Sequence, residues 1–497
     1  MPLTSRRLRA ALLATASATL VAATLPAPGP LGIGDRLFPH LGNPGYDVLS
    51  YDIALTYHGG NTEPLDAVTT IDARTTAPLE HLNLDFARGT VSSVEVDGSS
   101  AGFATEGEDL IIRPPARLPA HVPVRITVRH TSDPTGDTGS GGWVPTADGL
   151  AMANQTDAAH RVFPANDHPS DKAYFTFHVT APEKFTVVAG GLPAGKRRHA
   201  GATTWTYRTA HPMATELAQV SIGRSAVLRR TGPHGLPVRD VVPVADRDEL
   251  EPWLRRTPDQ LAWMERQVGP YPFETYGLLV ADTETGFELE TQTLSLFERS
   301  LFTEAGYPAW YVESIMVHEL AHQWFGNSVS PRTWSDLWLN EGHATWYEAR
   351  YAEEHARKPL ERRMREAYAR SDAWRAAGGP PARPDVPSPD HKISLFRPVV
   401  YDGSALVLYA LRQEIGAEAF DRLERTWVRA HRDGSATTDR FTALASRVAG
   451  RDLTAFLDGW LYGRTTPPMP GHPEWRSAAP RSAEPEPRGP VRAPKPA

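Results

Sequence analysis

The chain reads Val317-His318-Glu319-Leu320-Ala321-His322-Gln323-Trp324-Phe325, and further on Asn340-Glu341-Gly342. His318 and His322 stand four apart, so on a helix they project from one face, one turn above the other. Both imidazoles can then reach a single ion at about 2.0–2.1 Å, the usual zinc–nitrogen distance. Glu319 follows the first histidine and points beside such an ion rather than at it, where a general base for a metal-activated water must stand. A catalytic site needs a third protein ligand and one open position. Glu341, 19 residues after His322, is the candidate for that third ligand. The run from Tyr311 to Val317 is largely apolar, which places the histidines on a buried helix, and Glu341 to Ala349 reads as a second helix bearing the third ligand.

Outward from this centre the periodicity changes. From about Gly45 to Ser225 it is two: Tyr51, Ile53, Leu55 and Tyr57 alternate with Asp52, Ala54 and Thr56, and Val124, Ile126 and Val128 alternate with Arg125, Thr127 and Arg129. Turn clusters such as Asp133-Pro134-Thr135-Gly136 separate the runs, which makes this part a β domain. Between Ala226 and Asp246 the pattern loosens around the Gly/Pro hairpin 231–235. From Asp248 to about Gly463 it is mostly helical. Two buried strands are the exception, Tyr276 to Ala281 and Gly286 to Phe297. The loop from Gly378 to Pro389 is too proline-rich to be regular; lying just before Tyr401, it reads as a lining of the cleft or, in preference, as a plain surface excursion.

At 497 residues the chain is long enough for two or three domains, and 40% hydrophobic with 22% charged residues is a globular composition. A net charge of −7 gives no electrostatic case for binding nucleic acid or an anionic membrane. With no cysteine, disulfides, thiolate ligands, cysteine nucleophiles and a cysteine-borne lipid anchor are excluded. Arg6, Arg7 and Arg9 precede an apolar, small-residue stretch from Ala10 to Leu25, broken by Pro26 and Pro28. That is a signal peptide over residues 1–27, too short for the roughly 20 residues of a stable membrane span, and it implies a secreted protein. Its removal takes three arginines and moves the charge from −7 to −10.

HELAHQWFGN followed by WSDLWLNEG resembles the M1 family of zinc aminopeptidases, whose pattern is HExxH-x18-E. The resemblance covers about residues 45 to 468. It implies an α+β multidomain fold: a β-rich saddle domain over residues 45–230, then a thermolysin-like, mostly helical zinc domain over 240–468. The stretch Phe163-Pro164-Ala165-Asn166-Asp167-His168-Pro169 with Lys172-Ala173 is similar to the family's saddle domain. The Pro-rich segment 469–497 is expected to be a disordered tail that buries no core, in a short form without the family's C-terminal helical domain.

The resemblance also implies one Zn²⁺ per chain on His318, His322 and Glu341, with Glu319 as base. Tyr401, at the mouth of the apolar run Ala405 to Leu411, is the candidate oxyanion donor. It matches the family's Y-x-K-G-A tyrosine, although Asp402-Gly403-Ser404 departs from x-Lys-Gly. Glu290 matches the glutamate of G-x-M-E-N, which holds the substrate amine, with Phe287 and Thr291 in place of its first glycine and its asparagine. By period two Glu288 shares a face with Glu290, and only the motif separates them. Gln155 matches a second amine contact, while Asp336 and His343 are open to a supporting role behind the ligands. The implied activity is removal of N-terminal residues from peptides with a free amine. An endopeptidase or another hydrolase on the same scaffold, and a non-catalytic binding protein, stay as alternatives. The sequence says nothing of oligomeric state.

Overall fold

A computed structural model describes residues 31–136, 141–388 and 392–478. The signal-peptide expectation for residues 1–27 lies outside the described residues, as does everything after 478. No helix among the described residues is long and apolar enough to cross a membrane.

The alternating runs form an eight-stranded sheet, in the order Leu192–His199, Ala202–Arg208, Tyr174–Pro182, Tyr46–Thr56, Leu65–Thr75, Pro123–Ser132, Val91–Val96 and Ser99–Ser100. Tyr46–Thr56 pairs in parallel with Tyr174–Pro182, with Tyr51 opposite Phe175, and antiparallel with Leu65–Thr75. One face is solvated and the other buries Tyr51, Ile53, Leu55, Ile71, Ile126 and Phe177, as period two demands. A four-stranded sheet (Thr186–Ala189, Val220–Gly223, Gly149–Ala153, Gly142–Thr146) and a three-stranded one (Leu82–Asp85, Asp109–Arg113, Gly102–Glu106) complete this β part.

Where the sequence loosens between 226 and 246, the structure has a hairpin that turns to the second half of the chain. Ser225–Thr231 and Pro237–Pro243 pair with each other, and the second continues in parallel to Leu278–Ala281 and then Ser295–Glu298. The strand expected from Gly286 to Phe297 is broken. Only Ser295–Glu298 is regular, because a turn in which Leu294 N donates to Thr291 O folds the run back on itself, with Thr293 at φ +69°. Leu289 then bridges Leu296 from the returning side.

The helices among the described residues are α1 (Arg247–Leu254), α2 (Thr257–Val268), α3 (Arg299–Thr303), α4 (Ala309–Ala321), α5 (Trp338–Ala356), α6 (Leu360–Gly378), α7 (Asp402–Ile415), α8 (Ala417–His431), α9 (Thr438–Ala449) and α10 (Thr454–Tyr462). Helices α4, α5 and α7 make the centre, burying Val312, Met316, Val317 and Leu320, then Trp338 and Trp346, then Ala405 to Leu411. A Cβ on Gly342 would lie 2.7 Å from Ser404 Cβ, so glycine is what lets α5 cross α7 in near contact.

Two terminal segments are more ordered than their composition suggests. Residues 31–45, which the sequence leaves unassigned, run as a strap between the two halves. The Asp35 carboxylate accepts hydrogen bonds from the amides of Leu37 and Trp334, both at 2.8 Å, and Leu37, Phe38 and Leu41 pack with Trp334, Leu395, Phe396, Val399 and Val400. At the other end, the expectation that nothing after 468 buries a core fails for residues 469–478. Met469 and Trp475 are buried, and Trp475 stacks on Tyr409 with ring centroids 5.9 Å apart. One aromatic anchor among prolines is enough to seat an otherwise irregular strip.

Candidate metal centre

Helix α4 delivers the two histidines, and the chain turns immediately after them. His322 is the first residue beyond the last α turn, and Gly326 follows at φ +128°. A Cβ there would stand 3.3 Å from His322 Nδ1 and from Asn340 Nδ2, so the tight return behind the second histidine requires glycine. The chain then enters α5 through a Thr333–Asp336 capping box. Asp336 also accepts from the backbone and hydroxyl of Thr438, both at 2.8 Å, so its role is capping and tethering, not support of a histidine.

The sequence-expected ligands converge. His318 Nε2 lies 3.3 Å and His322 Nε2 3.4 Å from Glu341 Oε2, all three residues buried. An ordinary charged hydrogen bond of this type is about 2.7–2.9 Å. A tetrahedral zinc site with arms of about 2.0–2.1 Å has donors about 3.3–3.5 Å apart, which is the spacing observed. The opposite ring nitrogens are engaged: His318 Nδ1 is 3.1 Å from Glu348 Oε2 and His322 Nδ1 is 3.1 Å from Phe325 O. With the ring protons on these atoms, both Nε2 lone pairs turn toward Glu341. The donor set fits zinc. Before a metal binds, burial opposes charge on Glu341, but the protonated imidazoles of His322 and His318 prevail and hold its carboxyl down at about 2.

Glu319 lies beside this cage. Its Oε2 is buried without a hydrogen-bond partner, and burial, reinforced by Glu290 and Glu288, pushes its carboxyl up to about 8 against the pull of the two histidines. The half-buried Tyr401 approaches from the N-terminus of α7, its ring centroid 6.0 Å from that of His318. Desolvation, then the carboxylates of Glu341 and Glu290, raise its hydroxyl well above the usual tyrosine range, so it remains a donor.

The structure separates Glu290 from Glu288. Glu290 is buried, with its Oε1 4.0 Å from His322 Nδ1 and accepting from Gln155 Nε2 at 2.6 Å, whereas Glu288 is only half-buried. Gln155 thus reaches the site from a loop 135 residues away. The Glu290 carbonyl is pinned by Asn327 Nδ2 at 2.6 Å and Gln323 Nε2 at 3.1 Å, and the Asn327 carbonyl accepts from Lys172 Nζ at 2.7 Å. His343 goes elsewhere: it stacks on Phe325 at 4.3 Å and faces Glu424. Glu348, Gln323, Asn327 and Lys172 were not singled out for this role in the sequence. Glu348 alone had a local signal, since it lies two helical turns after Glu341 on the same face.

Residues 254–460 match the profile of the peptidase family M1 domain. An M1 zinc metallopeptidase from Deinococcus radiodurans superposes with a TM-score of 0.75 at 26% identity, over 91% of this chain and 100% of that one. The likeness to peptidase family M1 thus rests on this domain match and on the shared fold. A mutant M1 zinc metallopeptidase from the same organism, bound to a Tyr-Ser-Ala substrate, matches with a TM-score of 0.74 at 27% identity, covering 89% of this chain and 100% of that one. Aminopeptidase N of Streptomyces lividans is 26% identical over 61% of this chain and 36% of its own length. The chain thus spans about a third of the length of the curated relatives it matches.

Glu348→Gln is expected to weaken zinc about 10- to 100-fold in chelator competition, because the amide orients the His318 ring without its charge. Unchanged affinity would remove Glu348 from the support of the metal site.

Proposed function

We propose that the protein is an exported zinc aminopeptidase that removes single residues from the free N-terminus of peptides. The carrying observation is the Gln155–Glu290 pair, a buried carboxylate with an amide at 2.6 Å, set against the second histidine of the metal cage. A fixed buried carboxylate there pairs with a substrate ammonium and measures one residue to the bond beside His318, His322 and Glu341.

Zinc, when bound by these three residues, supplies Lewis acidity that makes a water acidic and polarises the scissile carbonyl. The other work falls to side chains. Glu319 accepts a proton from the attacking water as the C–O bond forms, and delivers it to the amide nitrogen as the C–N bond breaks. Tyr401 donates a hydrogen bond to the substrate carbonyl oxygen as charge gathers there. Glu290 and Gln155 hold the amine throughout. Export rests on the arginines and apolar stretch before Pro26.

The test is a panel of aminoacyl reporter substrates beside their N-acetylated twins, with and without a zinc chelator. Chelator-sensitive cleavage of the free-amine set alone is expected. Cleavage of the acetylated set would make the enzyme an endopeptidase and remove the amine-holding role from Glu290.

A further inference from the structure

One line of hydrogen bonds and ion pairs ties α4, α5, α6 and α7 together. His318 on α4 faces Glu348 on α5 at 3.1 Å, Glu348 Oε1 accepts from Arg363 Nη1 on α6 at 2.7 Å, and Arg363 Nε donates to Asp402 Oδ1 on α7 at 2.8 Å. Asp402 is the first residue of α7 and directly follows Tyr401. The line therefore begins at a metal ligand and ends beside the candidate oxyanion donor, with one guanidinium spanning two carboxylates.

Tyr401 is otherwise held from one side. It stands at the N-cap position with φ −88° and ψ −93° and makes no side-chain cap. Its carbonyl accepts from Ser404 N at 3.0 Å and Ala405 N at 2.9 Å, so the first turn of α7 carries it. Phe396, Val399 and Val400 pack on the flank that the strap covers. On the other flank, where α5 already meets Ser404 at Gly342, Arg363 bridges the first turn of α7 to α5 and α6. Its planar fork sets the direction as well as the distance of both carboxylates, which a flexible ammonium would not.

We infer that Arg363 is a positioning residue that aligns the Tyr401 hydroxyl with the metal cage through Asp402 and Glu348. This rests on the aminopeptidase reading above, in which Tyr401 acts on the substrate carbonyl. Misplacing a reacting group by about 1 Å can cost up to 100-fold in rate. Arg363→Met is accordingly expected to lower kcat about tenfold with KM within about twofold. Bound zinc stays at its normal content, and Arg363→Lys recovers part of the rate.

The deciding measurement is a double-mutant cycle in the full-length enzyme, with kcat, KM and zinc content read for Arg363→Met and for Asp402→Ala, each alone and on a Tyr401→Phe background. Asp402→Ala removes the acceptor and breaks the same link from the other end while Arg363–Glu348 stays intact, which covers the case in which Arg363→Met fails to fold. If Arg363 works through the tyrosine, both substitutions lose most of their effect once the hydroxyl is gone. An undiminished loss on the Tyr401→Phe background would overturn the inference, as would an unchanged kcat in the parent background or a loss seen only in zinc content. A parent enzyme with no aminoacyl turnover would show first and would sink the aminopeptidase reading itself.

Discussion

Glu319→Gln is expected to keep its zinc and lose its turnover, with kcat falling about 10²- to 10⁴-fold, the range of a positioned general base. The metal should stay because Glu319 is outside the donor set: the 3.3 and 3.4 Å spacings involve only His318, His322 and Glu341. The fold should stay because glutamine has the same shape and Glu319 Oε2 has no hydrogen-bond partner to lose. What changes is the ability to hold a proton. Zinc content and kcat measured on the same preparation decide the matter. A near-normal rate with full zinc would exclude Glu319 as the base, and loss of zinc would show that the donor set has been misread.

How much of this was legible in the sequence depends on how local each interaction is. His318, Glu319 and His322 lie within five residues of one helix, so α-helical geometry alone brings them to one face. Glu341 needed only a second helix packed on the first, and the spacing implied it. The choice between Glu288 and Glu290 could not be made from alternation, because both sit on one face of an ideal strand. The turn at Thr291 to Leu294 sets the two apart in burial: Leu289 bridges back to Leu296, and Glu290 is left buried against His322 while Glu288 is half-buried. Arg363 was beyond reach of any local pattern. It sits half-buried at the margin of the buried face of α6, and its partners lie 15 and 39 residues away on helices whose crossing no sequence period encodes. The strap around Asp35 and the anchor at Trp475 were missed for the same reason, since short irregular segments acquire meaning only from what they pack against.

On the aminopeptidase reading proposed above, Glu290→Gln is expected to erase the preference for a free amine. In the parent, an incoming ammonium meets a buried carboxylate, and removing one charge of such a buried pair costs about 2–5 kcal/mol. At about 1.4 kcal/mol per decade, kcat/KM on free-amine substrates should fall roughly 30- to 3,000-fold. The site itself should persist. The pins from Asn327 and Gln323 go to the Glu290 backbone carbonyl, and the substituted amide oxygen can still accept from Gln155. Acetylated substrates, which never offered a charge to the carboxylate, should be cleaved no better and no worse than before. The ratio between free and acetylated twins should therefore collapse, with zinc content unchanged. If the free-amine rate falls while the ratio stays high, Glu290 supports the metal site without reading the amine, and the counting of residues from the N-terminus must come from elsewhere in the cleft. Glu288 is then the first residue to test, because it lies two positions along the same segment and its charge already bears on both Glu319 and Tyr401.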